Sequence, residues 1–148
     1  MSQVSRKSLS KDTEEKLFSI FFSSFAKLSK SSDIQKFLFD LLSPTERIML
    51  AKRLAIAYLL TKGYRYETIK ETLKVSQETI ARVNLIHKYQ GGGYDVVLSQ
   101  IFLDEKLQKI LQKIEDTAIA ILPLSGLKKG LEKERKESRS KNPHSSLG

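Results

Sequence analysis

"YETIKETLKVSQETIARVNLIHKY", residues 66–89, holds two short helical patterns separated by Val75-Ser76. Ile69, Leu73, Val75, Ile80 and Val83 fall where a helix-turn-helix places its shared internal apolar side chains. The spacing predicts helices over 66–74 and 77 to about 88, with Ser76 available to cap the second and Gly91-Gly92-Gly93 to stop it. If the apolar positions face inward, Gln77, Glu78, Ala81, Arg82 and Lys88 are forced outward. Gln77, Glu78 and Ala81 then lie near the N-terminal end, the end that a recognition helix presents to base edges in the major groove.

The residue types suit that task. Gln77 can pair with adenine in bidentate fashion, Glu78 can accept from cytosine N4, and Ala81 can touch a thymine methyl. Arg82 reaches guanine or a phosphate, and Lys70 on the preceding helix is placed for a phosphate. Glu78 needs a donor of its own, because a bare carboxylate is repelled by phosphates. Two short helices and a turn also fit a generic three-helix bundle, so other features have to decide.

Outward from this stretch the chain is helical throughout, with few Gly and Pro and with apolar residues recurring at three and four. Ser43-Pro44-Thr45-Glu46 combines a cap, a proline at the first helical position and a glutamate at the third. The helix it starts runs through Arg53 and LAIAYLL to Lys62, with Gly63 as its left-handed stop, and is the expected centre of the core. Ser32 with Gln35 is expected to open a shorter helix before it, ending near Leu42. Asp12 with Glu15 offers a capping box for the first helix, where Leu17, Phe18, Ile20, Phe21, Phe22, Phe25 and Leu28 are apolar around much of the circumference. Such a helix needs cover on more than one side, and in a small chain a second copy can supply it. Beyond the glycines, helical periodicity resumes with Leu103, Leu107, Ile110, Ile114, Thr117 and Ile121, a stripe suited to helix pairing. Pro123 and Gly126 interrupt it, and from Leu127 the chain is too polar to bury a core and is expected to fray into a disordered tail.

Composition narrows the function classes. The 148 residues suffice for one core and a tail, and 26 Lys+Arg against 17 Asp+Glu give a net charge of +9. That balance favours a polyanionic partner. Residues 34–94 hold ten Lys/Arg and five Asp/Glu, a net of +5, whereas 95–126 hold three and five, a net of −2. The absence of cysteine excludes disulfides, thiolate-bound metals and a thiol nucleophile, and fits a reducing compartment. The longest apolar run, Leu54 to Leu60, is far short of a bilayer span, and the N-terminus shows no secretory signal. No enzyme is expected. The two histidines, His87 and His144, lie on separate segments, no metal-ligand spacing is present, and no Lys-Ser/Thr follows the glycines to make a phosphate loop.

"LLSPTERIMLAKRLAIAYLL" (41–60) followed by "YETIKETLKVSQETIARVN" (66–84) resembles the Trp repressor superfamily: a leucine pair, a hydroxyl-Pro-x-Glu-Arg helix start, an alanine- and arginine-rich central helix and a helix-turn-helix. "ARVNLIHKYQGGGY" (81–94) is most similar to the Bacillus-type branch with its S-R-V-N and G-G-Y ending. The resemblance spans roughly Gln35 to Tyr94. It implies an all-α, Trp-repressor-like helical bundle, an intertwined homodimer, and an operator-binding transcriptional repressor working on double-stranded DNA in a bacterial-type cytoplasm, associated with the nucleoid.

It also implies a ligand pocket between the central and recognition helices, formed by Ser43, Arg53 and Arg82. Arg53 could equally serve an ion pair with Glu46 or cap a neighbouring turn. L-tryptophan is not expected as corepressor and no cofactor or metal is expected. Val83 replaces a small glycine beside the indole slot, and Ile86, in place of a serine, cannot hydrogen-bond an ammonium.

The expected organisation is a flexible N-terminus over 1–11 and a DNA-binding domain over 12–94 with the helix-turn-helix at about 66–88. A helical extension over 95–122 and a basic tail over 123–148 follow. Two other readings stay open: a helical protein-interaction module, and a replication-related or nonspecific DNA binder, since the chain more distantly resembles the DNA-binding domain of the bacterial replication initiator.

Overall fold

A computed structural model of the chain describes residues 7–121. Among them are seven helices and no strand: α1 (Lys11–Ala26), α2 (Ser31–Leu41), α3 (Pro44–Thr61), α4 (Tyr66–Leu73), α5 (Gln77–Tyr89), α6 (Gly93–Leu103) and α7 (Glu105–Ile121). The expected all-α fold is therefore present; the tail expected from residue 123 lies outside the described residues. Two compact units divide between Met49 and Leu50, inside α3.

The first unit contains α1, α2 and the start of α3. Its capping differs from the sequence expectation. Ser10 caps α1, its hydroxyl accepting from the Thr13 N–H at 3.3 Å, while Asp12 pairs with Lys16 at 2.7 Å. The expected Asp12/Glu15 box therefore does not form, because the helix begins two residues ahead of it. Likewise α2 begins at Ser31 behind Lys30, with no side-chain cap, rather than at Ser32.

The box at the start of α3 does form. The Glu46 carboxylate accepts from Ser43 N–H and Oγ–H, both at 2.8 Å, and Glu46 N–H donates back to Ser43 Oγ at 3.3 Å. Arg47 then covers the end of α2, donating to the Phe39 and Leu42 carbonyls with its guanidinium 4.0 Å over the Phe39 ring. Phe25 meets Phe37 edge-on at 5.3 Å and so joins α1 to α2. Among the described residues of this unit nothing covers the rest of the α1 apolar face: no α1 residue is buried, and Ile20 and Phe22 stay 66% and 64% exposed.

The second unit holds the core. Ile56, Ala57, Tyr58 and Leu59 on α3 are buried with Ile69 on α4, Ile80 and Val83 on α5, and Leu98 on α6. Each fully buried Ile or Leu contributes about 1.5–3 kcal/mol relative to exposure. Gly63, at φ 83°, ends α3 as expected: Gly63 and Tyr64 N–H groups donate to the Leu60 and Leu59 carbonyls, and a left-handed residue here is cheapest as glycine.

The stripe beyond the glycines is broken, against the expectation of one continuous pattern. Asp104 separates α6 from α7 and caps the latter, its Oδ1 accepting from Lys106 and Leu107 N–H at 2.9 and 3.1 Å. Leu103 is consequently left 81% exposed at the end of α6, whereas Leu111 and Ile114 on α7 pack on the core. α7 lies chiefly along α4, and the face it buries carries Leu111, Ile114 and the fully buried Ala118; of the expected stripe on α7 only Ile114 packs on the core, while Leu107 and Ile110 stay 41% and 58% exposed.

Candidate nucleic-acid interface

α4, the corner after it and α5 form a helix-turn-helix whose inward side chains are the expected ones. Ile69, Ile80 and Val83 are buried, and Leu73 and Val75 pack against them half-buried. α4 ends at Leu73 instead of Lys74, because Lys74 takes the left-handed conformation at φ 52°. Its N–H and that of Val75 both donate to the Lys70 carbonyl, which closes the helix and redirects the chain. Ser76 then caps α5, its Oγ accepting from Thr79 N–H at 3.2 Å. Asn84 Nδ2 donates to Tyr66 Oη at 2.8 Å and ties the middle of α5 to the start of α4.

Burial of one face fixes the other. Gln77, Glu78, Ala81, Arg82 and Lys88 on α5, and Lys70 on α4, are all exposed. Glu78 has found a donor on its own helix, the Arg82 guanidinium, at 3.2 Å. The two residues therefore form a zwitterionic pair on the outer face, and Arg82 is not a free cation in this state. Both groups are largely exposed, so the pair is held by little and is exchangeable.

Two cations that the sequence reading passed over, Lys52 and Lys74, converge at the corner. Lys52 Nζ donates to the Lys74 carbonyl at 3.3 Å, and Lys74 Nζ lies 3.4 Å from Glu71. Their sequence signal was faint, since neither occupies a helix-turn-helix core position and only the left-handed geometry brings them forward.

The residues expected to form a pocket are Ser43, Arg53 and Arg82. Ser43 is committed to the α3 cap, Arg82 to Glu78, and Arg53 is exposed with no hydrogen bond or ion pair among the described residues. The alternative role of Arg53, a pair with Glu46, is likewise not seen among the described residues. Val83 is a core residue, only 3% exposed, and Ile86 is half-buried.

His87, near the end of α5, meets Asp95 of α6 at 2.8 Å and Tyr94 edge-on, so this pairing bridges the glycine stop. No group of three metal-ligating side chains occurs among the described residues, and no helix there is long and apolar enough to cross a membrane.

Behind the interface, Glu115 on α7 accepts from the hydroxyls of Tyr58 and Tyr64 and lies 3.7 Å from Lys62 Nζ. Burial, reinforced by the Glu115 carboxylate, pushes both phenols above their ordinary value of 10.0. This network joins the end of α3, the loop before α4 and the helix that packs on α4.

The model of the Trp repressor protein family matches residues 16–102, more than half of the chain and further in both directions than the motifs noted from sequence. It takes in most of α1 and stops at Phe102, so α7 lies beyond it. Among solved structures, a candidate Trp repressor from Staphylococcus aureus has a TM-score of 0.56 and 25% identity, over 60% of this chain and 89% of that one. No curated protein matches.

Proposed function

The chain belongs to the Trp repressor family, and from that premise we propose that it is a sequence-specific DNA-binding regulator that represses transcription as a homodimer. The observation that carries this reading is the division of α5: Ile80 and Val83 are buried, while Gln77, Glu78, Ala81 and Arg82 line its outer face behind a capped, exposed N-terminal end. Gln77 and Ala81 read base edges, and the Glu78–Arg82 pair opens so that Arg82 meets guanine or phosphate while Glu78 accepts from cytosine. Lys70 and Lys88 hold the backbone.

The bare aromatic face of α1 supports the homodimer, since the described residues of one copy leave it exposed. Ala81-Arg82-Val83-Asn84 and Gly91–Tyr94 support the Bacillus-type branch. No L-tryptophan site is proposed, because Val83 fills core volume and the Ser43 hydroxyl is spent on the helix cap. The chain has no tryptophan, so the fluorescence of added L-tryptophan checks this directly. A DNA regulator works where the DNA is, which on this reading is the cytoplasm.

Selection from a random duplex library at near-physiological salt tests the proposal. The expected result is an enriched two-fold-symmetric motif, lost in Lys70→Ala/Arg82→Ala with the assembly mass unchanged. Salt-sensitive retention without a motif would replace it with a nonspecific or replication-related binder, and no retention with an interaction module.

A further inference from the structure

Among the described non-glycine residues, Lys74 alone has a positive φ, 52°. It turns the chain from α4 into α5, three positions before Gln77. That conformation is cheapest for glycine and uncommon for a residue with a Cβ. This chain uses glycine for it at Gly63 and Gly92. Lysine at the corner inside the helix-turn-helix therefore weakens the fold relative to glycine, and its side chain returns little. It is 74% exposed, and the Glu71 carboxylate it pairs with, at 3.4 Å, is 54% exposed. Exposed pairs of this kind contribute little to stability. Strain of this sort concentrates where a side chain is needed for a task other than folding.

The surroundings indicate the task. Lys52 reaches across from α3 to the Lys74 carbonyl, and Lys70 stands one turn earlier on α4. Three lysines, from two helices and the corner, thus stand close in the fold or the chain to the N-terminus of α5. A helix that enters the major groove N-terminus first carries the corner before it to the phosphates bordering that groove.

We propose that Lys74, with its carbonyl braced by Lys52, clamps a backbone phosphate at the edge of the groove entered by α5. This rests on the DNA-reading assignment made above. The lysine acts as a point charge on a flexible stem, fixing register without reading sequence. In the free chain Glu71 holds the ammonium, and the phosphate takes it over on binding.

Four full-length variants test this on the selected duplex and on an unrelated one. Lys74→Gly relieves the left-handed conformation, so its thermal midpoint should be unchanged or higher, which separates binding from folding. Its affinity should fall about five- to tenfold on both duplexes alike, and the slope of log K against log salt should lessen by about 0.9. Lys74→Arg should keep both quantities. Glu71→Gln should tighten binding when Lys74 is present and change nothing when added to Lys74→Gly. Unchanged affinity and slope in Lys74→Gly would overturn the clamp while leaving the DNA assignment standing. An altered sequence preference would also overturn it, because the corner would then be setting the orientation of α5. A wild-type chain that retains neither duplex would overturn the DNA assignment and the clamp together.

Discussion

Glu115 is a carboxylate only 12% exposed, and it is tolerated there because two phenols and an ammonium face it. Removing it leaves the Tyr58 hydroxyl, in a residue 4% exposed, without its acceptor. Such orphaned groups cost about 1–3 kcal/mol, so Glu115→Ala should lower the unfolding free energy by that amount in chemical denaturation. The same cluster sets an alkaline limit. Both tyrosines hold their protons more tightly in the folded chain than in the unfolded one, so their contribution is whole below the ordinary value of 10.0 and declines as pH rises past it. Denaturation midpoints followed from pH 9 upward should fall less steeply in Tyr58→Phe/Tyr64→Phe than in the wild type. None of this was legible in the sequence, because Tyr58 and Tyr64 lie more than fifty positions from Glu115 and only the packing of α7 unites them.

Elements set by local chemistry were legible, and those set by competition were not. Ser43-Pro44-Thr45-Glu46 leaves the backbone no better choice, and the reciprocal bonds form as the residue types demand. At the first helix, Ser10 and Asp12 both offer cap oxygens within one turn, and the earlier one won by lengthening the helix. Asp104 was hidden for the opposite reason: the apolar spacing across it is regular, and the stripe concealed a cap that splits two helices. Asp104→Ala should therefore cost about 0.5–2 kcal/mol and show first as faster amide exchange in Lys106 and Leu107. The outward face of α5 was legible because Ile80 and Val83, buried together with Ile69, determine it; the role of α7 was not, because its packed face carries Leu111 and Ala118, off the stripe that the apolar spacing suggested. The bare face of α1 has a consequence of its own. If it joins two copies, Phe18→Glu/Phe22→Glu should halve the mass in sedimentation equilibrium, since two charges within an apolar contact are costly. An unchanged mass would place the joint elsewhere.

At the scale of the whole molecule, charge is distributed unevenly along the chain. Residues 34–94, with the helix-turn-helix, carry a net of +5, and the stretch 95–126 that includes α7 carries −2. The segment after it, 127–148, has seven Lys/Arg against three Asp/Glu and lies outside the described residues. A helix-turn-helix reads sequence through a few base-edge contacts, whereas affinity for any duplex grows with every cation near a phosphate, by release of condensed counterions. If the terminal cations reach the duplex, their share of the affinity is separable from base reading by α5. Removing residues 127–148 should lessen the salt slope by up to about 3, while the motif enriched from a random library stays the same. Measuring affinity for one specific and one unrelated duplex between 50 and 200 mM salt, values in the range where the slope is steep, resolves both quantities. A preserved slope would mean that the terminal cations do not reach the phosphates and that the interface around α5 supplies the electrostatic attraction alone. A changed motif would mean that the terminal segment itself takes part in reading sequence.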